Sequence, residues 1–549
     1  MTDETEASPN LMLGMVRTWV RSGNTTAAGS AALGGQMLDA AAIAARIDRC
    51  EPEELGGLLD RLNGHFAAAK VEKRATYAIV DHVRSIPLLL VDHAGERTIT
   101  DDVESAVERR GGAGQPDAGR LAELLMTLVV TGSETLVDGV HQIEAGTFQE
   151  VPHDIRTPPT KHRWYAFRPN SGGPAGGDLV EQGRATLFSA LARMLAVAGD
   201  NLLAVPLSGG LDSRLLLHVL LEHDVDREQI LTFTYGRPGS QEAQIAQRVA
   251  RQLNVRWEFV PYSMEGWRDL RRDSSWSHYM RAGSSMSGVP NIADLPAVLH
   301  LQACGSLPEN SVLLPGHTGG FLCGSWIPSL ARRSHGSRED VIESVFVNHY
   351  RLRSMPMLGR LLGYSARDLS EILRARAEAS VPDAGGRLTR DELVSMVEEW
   401  VWKERQAKFI VNSVRAYENL GLRWWLPWWD REVVDFWAMV PLEERLGQPL
   451  RDRIALAVGD NLGTGSWRVG FEKRAISTVR RLGVDSWAKR TRNTVKGMRP
   501  GHAYRKDPLG WHGMIDEDRF REWYTGRELG FAFLGEEVAD AFFDGALKA

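Results

Sequence analysis

The chain has 549 residues, a formal net charge of −6 and 25% charged residues, a balance that provides no basic field for general nucleic-acid binding. Three cysteines are too few for a disulfide framework and favour a reducing, cytoplasmic setting. The acidic opening MTDETEASPN is unlike a secretory signal, and no apolar run approaches the ~20 residues of a membrane span, so we expect neither a nucleic-acid nor a membrane partner.

Short apolar segments separated by turns characterise the first part of the chain. The segments ATYAIVDHV (75–83) and IPLLLVDHAG (86–95) predict strands. The leucines of AGRLAELLMTLVV (118–130) have helical spacing. The segment FRPNSGGPAGGD (167–178) is rich in glycine and proline and predicts an interdomain linker.

Strands and helices alternate from Leu179 onward. The strand LLAVPL (202–207) is apolar throughout, which is typical of a parallel sheet covered on both faces. The following elements are a helix at 213–223, a strand at 230–236, an amphipathic helix at 240–253 and a strand at 256–262. This order predicts a doubly wound α/β domain, and the sequence after Gly359 is mostly helical in pattern.

The turn after the first of these strands reads Ser208-Gly209-Gly210-Leu211-Asp212-Ser213 and is called the phosphate loop below. Glycines let a backbone approach phosphate closely, hydroxyls donate hydrogen bonds, and a helix that starts here presents free N–H groups. Asp212 would repel phosphate by itself, but it can bind a bridging Mg²⁺. The alternative is a tight turn in which Asp212 or Ser213 caps the helix.

The SGGxDS motif resembles the pyrophosphate loop of the ATP-pyrophosphatases. The strand ILTFTYG resembles the strand that passes beside adenine in that superfamily, which implies nucleotide contacts at Thr234 and Gly236. Glu242 and Ala243 are similar to the acidic residue and alanine that start the next helix there. The resemblance therefore implies an ATP site that uses Mg²⁺.

Within this superfamily, the sequence is most similar to asparagine synthetase and β-lactam synthetase, from about Leu11 to Arg453. The segments Leu62–Leu90 and Glu134–Thr147 resemble parts of an N-terminal glutaminase domain. The resemblance implies an α/β protein with an N-terminal glutaminase-like α+β sandwich and a doubly wound ATP-pyrophosphatase domain. The boundaries it suggests are 1–165 for the degenerate glutaminase-like domain, 166–180 for the linker, 181–462 for the ATP-pyrophosphatase domain and 463–549 for a basic, helical extension.

The nucleophile of that glutaminase domain is missing. Such domains use an N-terminal cysteine, but LMLGMV (11–16) resembles their first strand with Leu13 at the cysteine position, and the first cysteine is Cys50. A Thr2 nucleophile exposed by removal of Met1 is the alternative. We expect no glutaminase activity, so that nitrogen comes from a substrate amine or from free ammonia.

A second glycine-rich loop follows the strand in VLLPGHTGGFLCGSW (312–326). The resemblance places Gly316 at the nucleotide, His317 at a glutamate position and Gly320 at an aspartate position of the family's Gly-Glu-Gly-x-Asp-Glu motif. Asp212 is then the motif carboxylate that is left for magnesium. A histidine here can bind phosphate when protonated or act as a general acid or base; the alternative is a loop histidine satisfied by backbone.

The family's third motif has its counterpart in 415–441, around Pro427 and Asp430. Arg423 stands where the family has a glutamate near the reacting amine, and Trp425 stands where it has an arginine. Glu418, about one helical turn away, is a candidate substitute for that glutamate. Catalytic roles for Arg423 and Glu418 follow from this resemblance alone.

Two further features have competing interpretations. Most of the tryptophans between positions 400 and 437 are expected in the core, with Trp424 and Trp425 as candidates for a substrate pocket. The stretch Lys473–Lys506 carries eleven basic residues and one acid, which fits a solvated helix face, an acidic partner or a lysine such as Lys473 in the site.

The sequence favours an ATP-dependent ligase that adenylates a small-molecule or peptide carboxylate and transfers it to an amine or ammonia. A catalytically impaired relative that acts as a nucleotide-binding or partner subunit is the alternative, because several motif carboxylates are altered. A peptide or lactam cyclase is a further alternative, and a homo-oligomer is compatible with all three. The acidic pI and the glutaminase-like segments disfavour a tRNA-modifying pyrophosphatase.

Overall fold

The computed structural model describes residues 11–14, 17–169, 177–459, 500–505, 507–523, 532–543 and 547. Within these ranges, no helix is long and apolar enough to cross a membrane. Thr2, Lys473 and most of the basic stretch lie outside the described residues, so the proposed roles of these residues stay predictions. The fold class is mixed α/β, as expected.

Two sheets form the first part of the chain. One has the strand order β11-β10-β6-β5-β3-β2, with β4 also paired to β3, and the other has the order β1-β8-β7-β9. The strands are β1 (Leu11–Gly14), β2 (Val20–Ser22), β3 (Thr25–Leu33), β4 (Gln36–Leu38), β5 (Asn63–Val71), β6 (Ala75–Val80), β7 (Leu89–His93), β8 (Glu96–Thr100), β9 (Val140–Gln142), β10 (Thr147–Pro152) and β11 (Thr160–Arg163).

Small side chains let these two sheets approach each other. Ala28, Ala67 and Ala78 of one sheet share a buried cluster with Leu90 and Ile99 of the other. The outer face of the larger sheet packs against apolar residues of two helices, and two more helices follow β8. These helices are α1 (Ala40–Asp48), α2 (Leu55–Arg61), α3 (Val103–Arg110) and α4 (Ala118–Thr127).

A five-stranded parallel sheet with the order β14-β13-β12-β15-β18 forms the centre of the second part. The residues of β12 and β13 are mostly buried, as expected for central strands covered on both faces, and β12 is apolar throughout. The predicted alternation of strands and helices is confirmed. The elements are α5 (Leu179–Ala198), β12 (Leu203–Pro206), α6 (Leu211–Glu222), β13 (Ile230–Gly236), α7 (Gln241–Leu253), β14 (Arg256–Pro261), β15 (Val312–Leu313) and β18 (Arg423–Trp424).

Helices dominate the remaining described residues, as the pattern after Gly359 predicts. A small antiparallel pair joins β16 (His335–Gly336) to β17 (Leu388–Thr389), and a π-helical segment at Val401–Ile410 continues one helix. The helices are α8 (Met264–Arg272), α9 (Ser275–Ser284), α10 (Leu295–Ala303), α11 (Gly319–Leu322), α12 (Arg338–His349), α13 (Met355–Leu362), α14 (Ala366–Ser380), α15 (Arg390–Trp400), α16 (Arg415–Asn419), α17 (Arg431–Met439), α18 (Leu442–Arg445), α19 (Pro449–Ala457), α20 (Pro500–Arg505), α21 (Glu517–Trp523) and α22 (Leu534–Phe542).

The linker predicted at 166–180 includes a residue of the core. Phe167 is fully buried and its ring centroid lies 5.2 Å from that of Phe321, so this residue belongs to the core. An aromatic side chain that is removed from water in this way stabilises the fold and anchors its segment. The glycine-rich residues 170–176 lie outside the described residues, and the division of the chain into domains stays a prediction.

Hydrogen bonds join the early sheets to the later helices. The Asp430 carboxylate accepts two bonds of 2.7 Å from Arg193 and one of 3.0 Å from the Asn63 amide. His82 Nε2 lies 2.8 Å from the Trp429 carbonyl oxygen. Asp430, which the sequence places in the third motif, therefore holds the two parts of the chain together.

Candidate functional site

The phosphate loop connects β12 to α6 at the carboxyl edge of the parallel sheet. The Leu207 amide donates to Phe233 O at 2.8 Å, and the chain then leaves the sheet. Within the loop, the Gly210 amide donates to Ser208 Oγ at 3.1 Å, and the Ser208 amide donates to Ser213 Oγ at 3.3 Å. These bonds fold the loop around its own hydroxyls before any ligand binds.

Helix α6 starts earlier than the sequence suggests, at Leu211 rather than near Ser213. Gly210 is its N-cap residue and supplies no side-chain acceptor to the first turn. Asp212 and Ser213 therefore lie within the first turn, beside its amide groups. The alternative in which one of them caps the helix is wrong. Open amide groups at a helix start suit a phosphate group.

The second glycine-rich loop packs directly on the phosphate loop. A β-carbon at Gly316 would lie 2.7 Å from the Ser213 nitrogen and Cα, closer than real side chains approach. A β-carbon at Gly320 would lie 3.3 Å from Asp212 Oδ2. The two loops, about one hundred residues apart in sequence, thus meet at Asp212 as predicted from the resemblance.

His317 is bonded through both ring nitrogens. Its Nε2 lies 2.9 Å from Ser413 Oγ, and its Nδ1 lies 3.2 Å from Thr318 Oγ1. Burial lowers the pKa of His317 to about 4, so its ring is neutral at pH 7. This environment does not support the prediction of a protonated phosphate ligand, and two side-chain hydroxyls lie against the ring nitrogens.

Thr318, next to this histidine, has an unusual backbone conformation. Its φ is +80°, which a β-branched residue rarely adopts, and its hydroxyl donates to Gln406 Oε1 at 3.1 Å. Such conformations persist where the surroundings fix them, often at functional sites. The bond to Gln406 helps to hold this conformation next to His317.

The structure does not bring Arg423 to the phosphate loop. Arg423 pairs with Val312, and Val312 pairs with Leu203, so all three lie at the amino edge of the parallel sheet. The phosphate loop lies at the carboxyl edge of the same sheet, beyond the opposite end of β12. The exposed Arg423 guanidinium donates to Val197 O at 2.7 Å. This position does not support the predicted catalytic role of Arg423. The motif spacing matched Arg423 to the family's glutamate, but it did not show at which end of the strand the residue lies.

Glu418 belongs to an ion-pair cluster. Its Oε2 lies 2.7 Å from Arg415 Nη1 and 3.1 Å from Arg17 Nη2, and its Oε1 accepts from Trp424 Nε1 at 3.0 Å. Burial would raise the pKa of Glu418, but the guanidinium groups of Arg415 and Arg17 lower it below its usual range. A carboxylate held ionised between two arginines is a poor proton acceptor, which argues against a role as general base.

Thr234 and Gly236, for which the resemblance implies nucleotide contacts, lie near the carboxyl end of β13. The Thr234 hydroxyl donates to Leu207 O at 2.6 Å and accepts from Trp257 Nε1 at 3.0 Å, so it fixes the start of the phosphate loop. Gly236, with φ +130°, faces Pro508, whose oxygen would lie 3.3 Å from a β-carbon there. The segment after α20 thus covers the end of β13, a contact that has no signature in the sequence.

The tryptophan cluster is core. Trp425, Trp428 and Trp429 are buried, so the expectation that Trp425 lines a pocket is wrong, while Trp424 is half-buried. Trp428 packs against Gly319, where a β-carbon would lie 2.7 Å from its indole. The indole thus supports the second glycine-rich loop from below.

A buried hydrogen-bonded cluster links β13 to α16. The Asp294 carboxylate accepts from the hydroxyls of Tyr235 and Tyr417. Burial raises the pKa of Asp294 above its usual range, against the opposing effect of the two phenols. No sequence motif identified this cluster, because its members come together only in the fold.

Arg451 is a further residue of the site that sequence reasoning missed. It lies on α19, and its Nη1 is 3.3 Å from Asp212 Oδ1. Arg451 is one of several arginines in LRDR and its neighbourhood, and nothing in their spacing singles it out. The contact across 239 positions is visible only in the structure.

The site fits a magnesium ion through one carboxylate. Among the described residues, no three His, Cys, Asp or Glu side chains cluster in a way that could hold a metal by themselves. Mg²⁺ often takes one or two protein carboxylates and completes its shell with phosphate oxygens and water. Asp212, at the phosphate loop, is suited to that arrangement.

Comparison with known proteins gives a partial match. Residues 184–291 match the family model described as asparagine synthase. This segment contains the phosphate loop, β13 and α7, but it ends before the second glycine-rich loop. No curated protein matches.

Solved structures give only weak likenesses. An allosteric regulatory enzyme of purine biosynthesis is 13% identical to this chain, with a TM-score of 0.18. The match covers 44% of this chain and 62% of that enzyme. NAD⁺ synthetase from Burkholderia pseudomallei has 13% identity and a TM-score of 0.19, with coverages of 45% and 91%. Glutamine phosphoribosylpyrophosphate amidotransferase from B. subtilis, complexed with ADP and GMP, has 11% identity and a TM-score of 0.19, with coverages of 55% and 64%. Scores this low carry no argument about function.

Proposed function

We propose that this protein is an ATP-dependent ligase that forms amide bonds through an acyl-adenylate. The observation that carries the proposal is the meeting of the phosphate loop with the second glycine-rich loop at Asp212. The asparagine synthase match over residues 184–291 also supports it, and this match includes the phosphate loop. The substrates are a small-molecule or peptide carboxylate and an amine or ammonia.

The phosphate loop would hold the triphosphate. The amides of the first turn of α6 and the hydroxyls of Ser208 and Ser213 are donors for phosphate oxygens. The small volume of Gly209 and Gly210 leaves the backbone accessible; a β-carbon at Gly210 would meet only Ser208 Oγ, at 3.0 Å. Asp212 would hold Mg²⁺ together with phosphate oxygens, and the ion would offset the charge of the leaving pyrophosphate.

The reaction has two steps. A substrate carboxylate oxygen attacks the α-phosphorus, the bond to the bridging oxygen breaks, and pyrophosphate leaves with the electron pair. The amine nitrogen then attacks the acyl carbon, loses a proton and displaces AMP. Adenylation turns a poor leaving group into a good one. Neutral His317, with both ring nitrogens against the hydroxyls of Ser413 and Thr318, supplies no positive charge to this site.

The nitrogen source we propose is an amine or ammonia rather than glutamine, because Leu13 stands at the nucleophile position of the resembled glutaminase domain. Leu13 lies in β1, which runs parallel to β8. A leucine side chain offers no nucleophilic atom.

A nucleotide-binding partner subunit without catalysis is the second candidate. It is favoured by Gly320, which supplies no carboxylate beside Asp212, and by the distance of Arg423 from the loop. Both candidates bind ATP, so binding alone does not separate them.

Exchange of labelled pyrophosphate into ATP, measured across a panel of carboxylic acids, tests the ligase. We expect exchange that depends on one class of acid and is abolished by Asp212→Asn. Glu222→Gln is the matched control, because it changes the other end of the same helix in a partly exposed ion pair with Arg184. Tight ATP binding without exchange for any acid would establish the non-catalytic candidate instead.

A further inference from the structure

Arg451 has spare hydrogen-bonding capacity. Its Nη1 is 3.3 Å from Asp212 Oδ1 and its Nη2 is 3.3 Å from Asp452 Oδ1, both longer than the 2.7–2.9 Å typical of strong guanidinium–carboxylate bonds. Its Nε is buried and has no hydrogen-bond partner among the described residues. The side chain is only 11% exposed. A buried guanidinium with an unused donor is costly unless a ligand completes its bonding.

Arg445, which is near Arg451 in the sequence, forms shorter hydrogen bonds to a single carboxylate. Arg445 forms bonds of 2.7 and 3.0 Å from Nη1, and 3.0 Å from Nη2, to the carboxylate of Glu398. Arg445 is therefore committed to a buried structural pair. Arg451, by contrast, contacts two different carboxylates through one long bond each. Of these two arginines, Arg451 is the one able to bind an added anion.

The charge balance at Asp212 points in the same direction. Gly320 lies near Asp212 Oδ2 and has no side chain, so position 320 places no second carboxylate beside Asp212. The guanidinium of Arg451 lies against the other oxygen, Oδ1. The pair Asp212–Arg451 is neutral, whereas two carboxylates would carry two negative charges. A triphosphate bound beside this pair would lie next to the positive charge of the Arg451 guanidinium.

We propose that Arg451 binds the pyrophosphate part of ATP directly and stabilises it as it leaves. This inference rests on the proposed function. The fork of N–H groups donates to non-bridging oxygens of the β- and γ-phosphates, which matches their geometry. The arginine keeps all of its protons, and the electron pair of the broken bond goes to pyrophosphate oxygen. Arg451 would thereby replace part of the charge compensation that a second metal-binding carboxylate allows.

Titration of inorganic pyrophosphate by calorimetry, in buffer with EDTA, isolates this contact from magnesium and from turnover. We expect Arg451→Gln to weaken pyrophosphate binding about tenfold, and Arg451→Lys to weaken it less. Arg453→Gln is the matched control, because Arg453 lies on α19 but pairs with Glu444 at the surface. Unchanged affinity in Arg451→Gln would overturn the inference.

A double-mutant cycle with Asp212→Asn separates direct binding from mere support of Asp212. Direct binding predicts that Arg451→Gln still weakens pyrophosphate binding severalfold once Asp212 is replaced, although the two changes need not be additive because the residues are in contact. A supporting role predicts no further loss once Asp212 is replaced, and that result would overturn the inference. If Arg451→Gln does not fold, the Arg451→Lys comparison carries the same cycle.

The two proposals fail in different ways. Wild-type pyrophosphate affinity in Arg451→Gln, together with normal ATP–pyrophosphate exchange, removes Arg451 from the site and leaves the ligase intact. Failure of the unaltered protein to bind both ATP and pyrophosphate overturns both proposals.

Discussion

Gly316 and Ser213 are in direct backbone contact: a β-carbon on Gly316 would lie 2.7 Å from the Ser213 main-chain nitrogen and 2.8 Å from its β-carbon. Protein interiors cannot absorb such an overlap without moving one segment. The position of the phosphate loop therefore depends on the absence of a side chain at 316.

Replacing Gly316 by alanine should push the two glycine-rich loops apart. We expect at least tenfold weaker ATP binding, measured by calorimetry, with the far-UV circular dichroism spectrum retained. Gly385→Ala is the control, because a β-carbon there meets open space and the residue is exposed. Equal ATP affinity in Gly316→Ala and wild type would show that the contact does not position the loop.

His317 should make the stability of the protein sensitive to acid. Its pKa is lowered to about 4 in the fold and returns to about 6.5 when unfolded, so the unfolded chain binds the extra proton between these values. The stabilisation from neutral His317 is fully present above pH 6.5 and is lost as pH falls toward 4. His317→Gln should therefore lose less stability than wild type between pH 6.5 and 4.5 in denaturant titrations.

The control for that experiment is His300→Gln, since His300 is exposed at the end of α10. The free energy of unfolding of the His300→Gln variant should change with pH as that of the wild type does. Other buried histidines, such as His65 with a pKa lowered to about 3, contribute equally to all three proteins. Identical slopes for His317→Gln and wild type would contradict the assigned burial.

Arg423 should have no part in adenylation. Its position at the amino edge of the sheet and its bond to Val197 O predict that Arg423→Ala keeps pyrophosphate exchange within about twofold of wild type. A loss of a hundredfold or more, with the thermal midpoint unchanged, would mean that Arg423 reaches the reacting groups in the substrate complex.

Glu418 should matter more for stability than for chemistry. Glu418→Gln removes the charge that pairs with both Arg415 and Arg17 and leaves the buried Arg415 under-compensated. Breaking a buried pair by removing one partner typically costs about 3 kcal/mol in the free energy of unfolding. Glu371→Gln, in the exposed pair with Arg367, should cost less than about 0.5 kcal/mol. Comparable unfolding energies in the two variants would refute the network.

Glutamine should not be hydrolysed. With Leu13 at the resembled nucleophile position, incubation with glutamine should release no glutamate above the buffer blank, with or without ATP. Glutamate release that disappears on Thr2→Ala would instead identify Thr2 as a nucleophile.

The sequence by itself determined the local features of this protein. The apolar run at 202–207 predicts a strand buried on both faces, and the glycines and hydroxyls that follow predict a phosphate loop before a helix. These features depend on residues that are neighbours in the chain, where side-chain periodicity and backbone freedom act directly.

Only the tertiary structure decided which distant residues share the site. Motif spacing placed Arg423 near the reacting groups, yet the strand carries it at the opposite edge, and Arg451 arrives from 239 positions away to meet Asp212. The pKa of Glu418 is likewise lowered by Arg415, three positions earlier, and further by Arg17, which is 401 positions earlier in the chain. Contacts at such separations are set by how the helices pack on the sheet, and the charges they bring together have no local signature in the sequence.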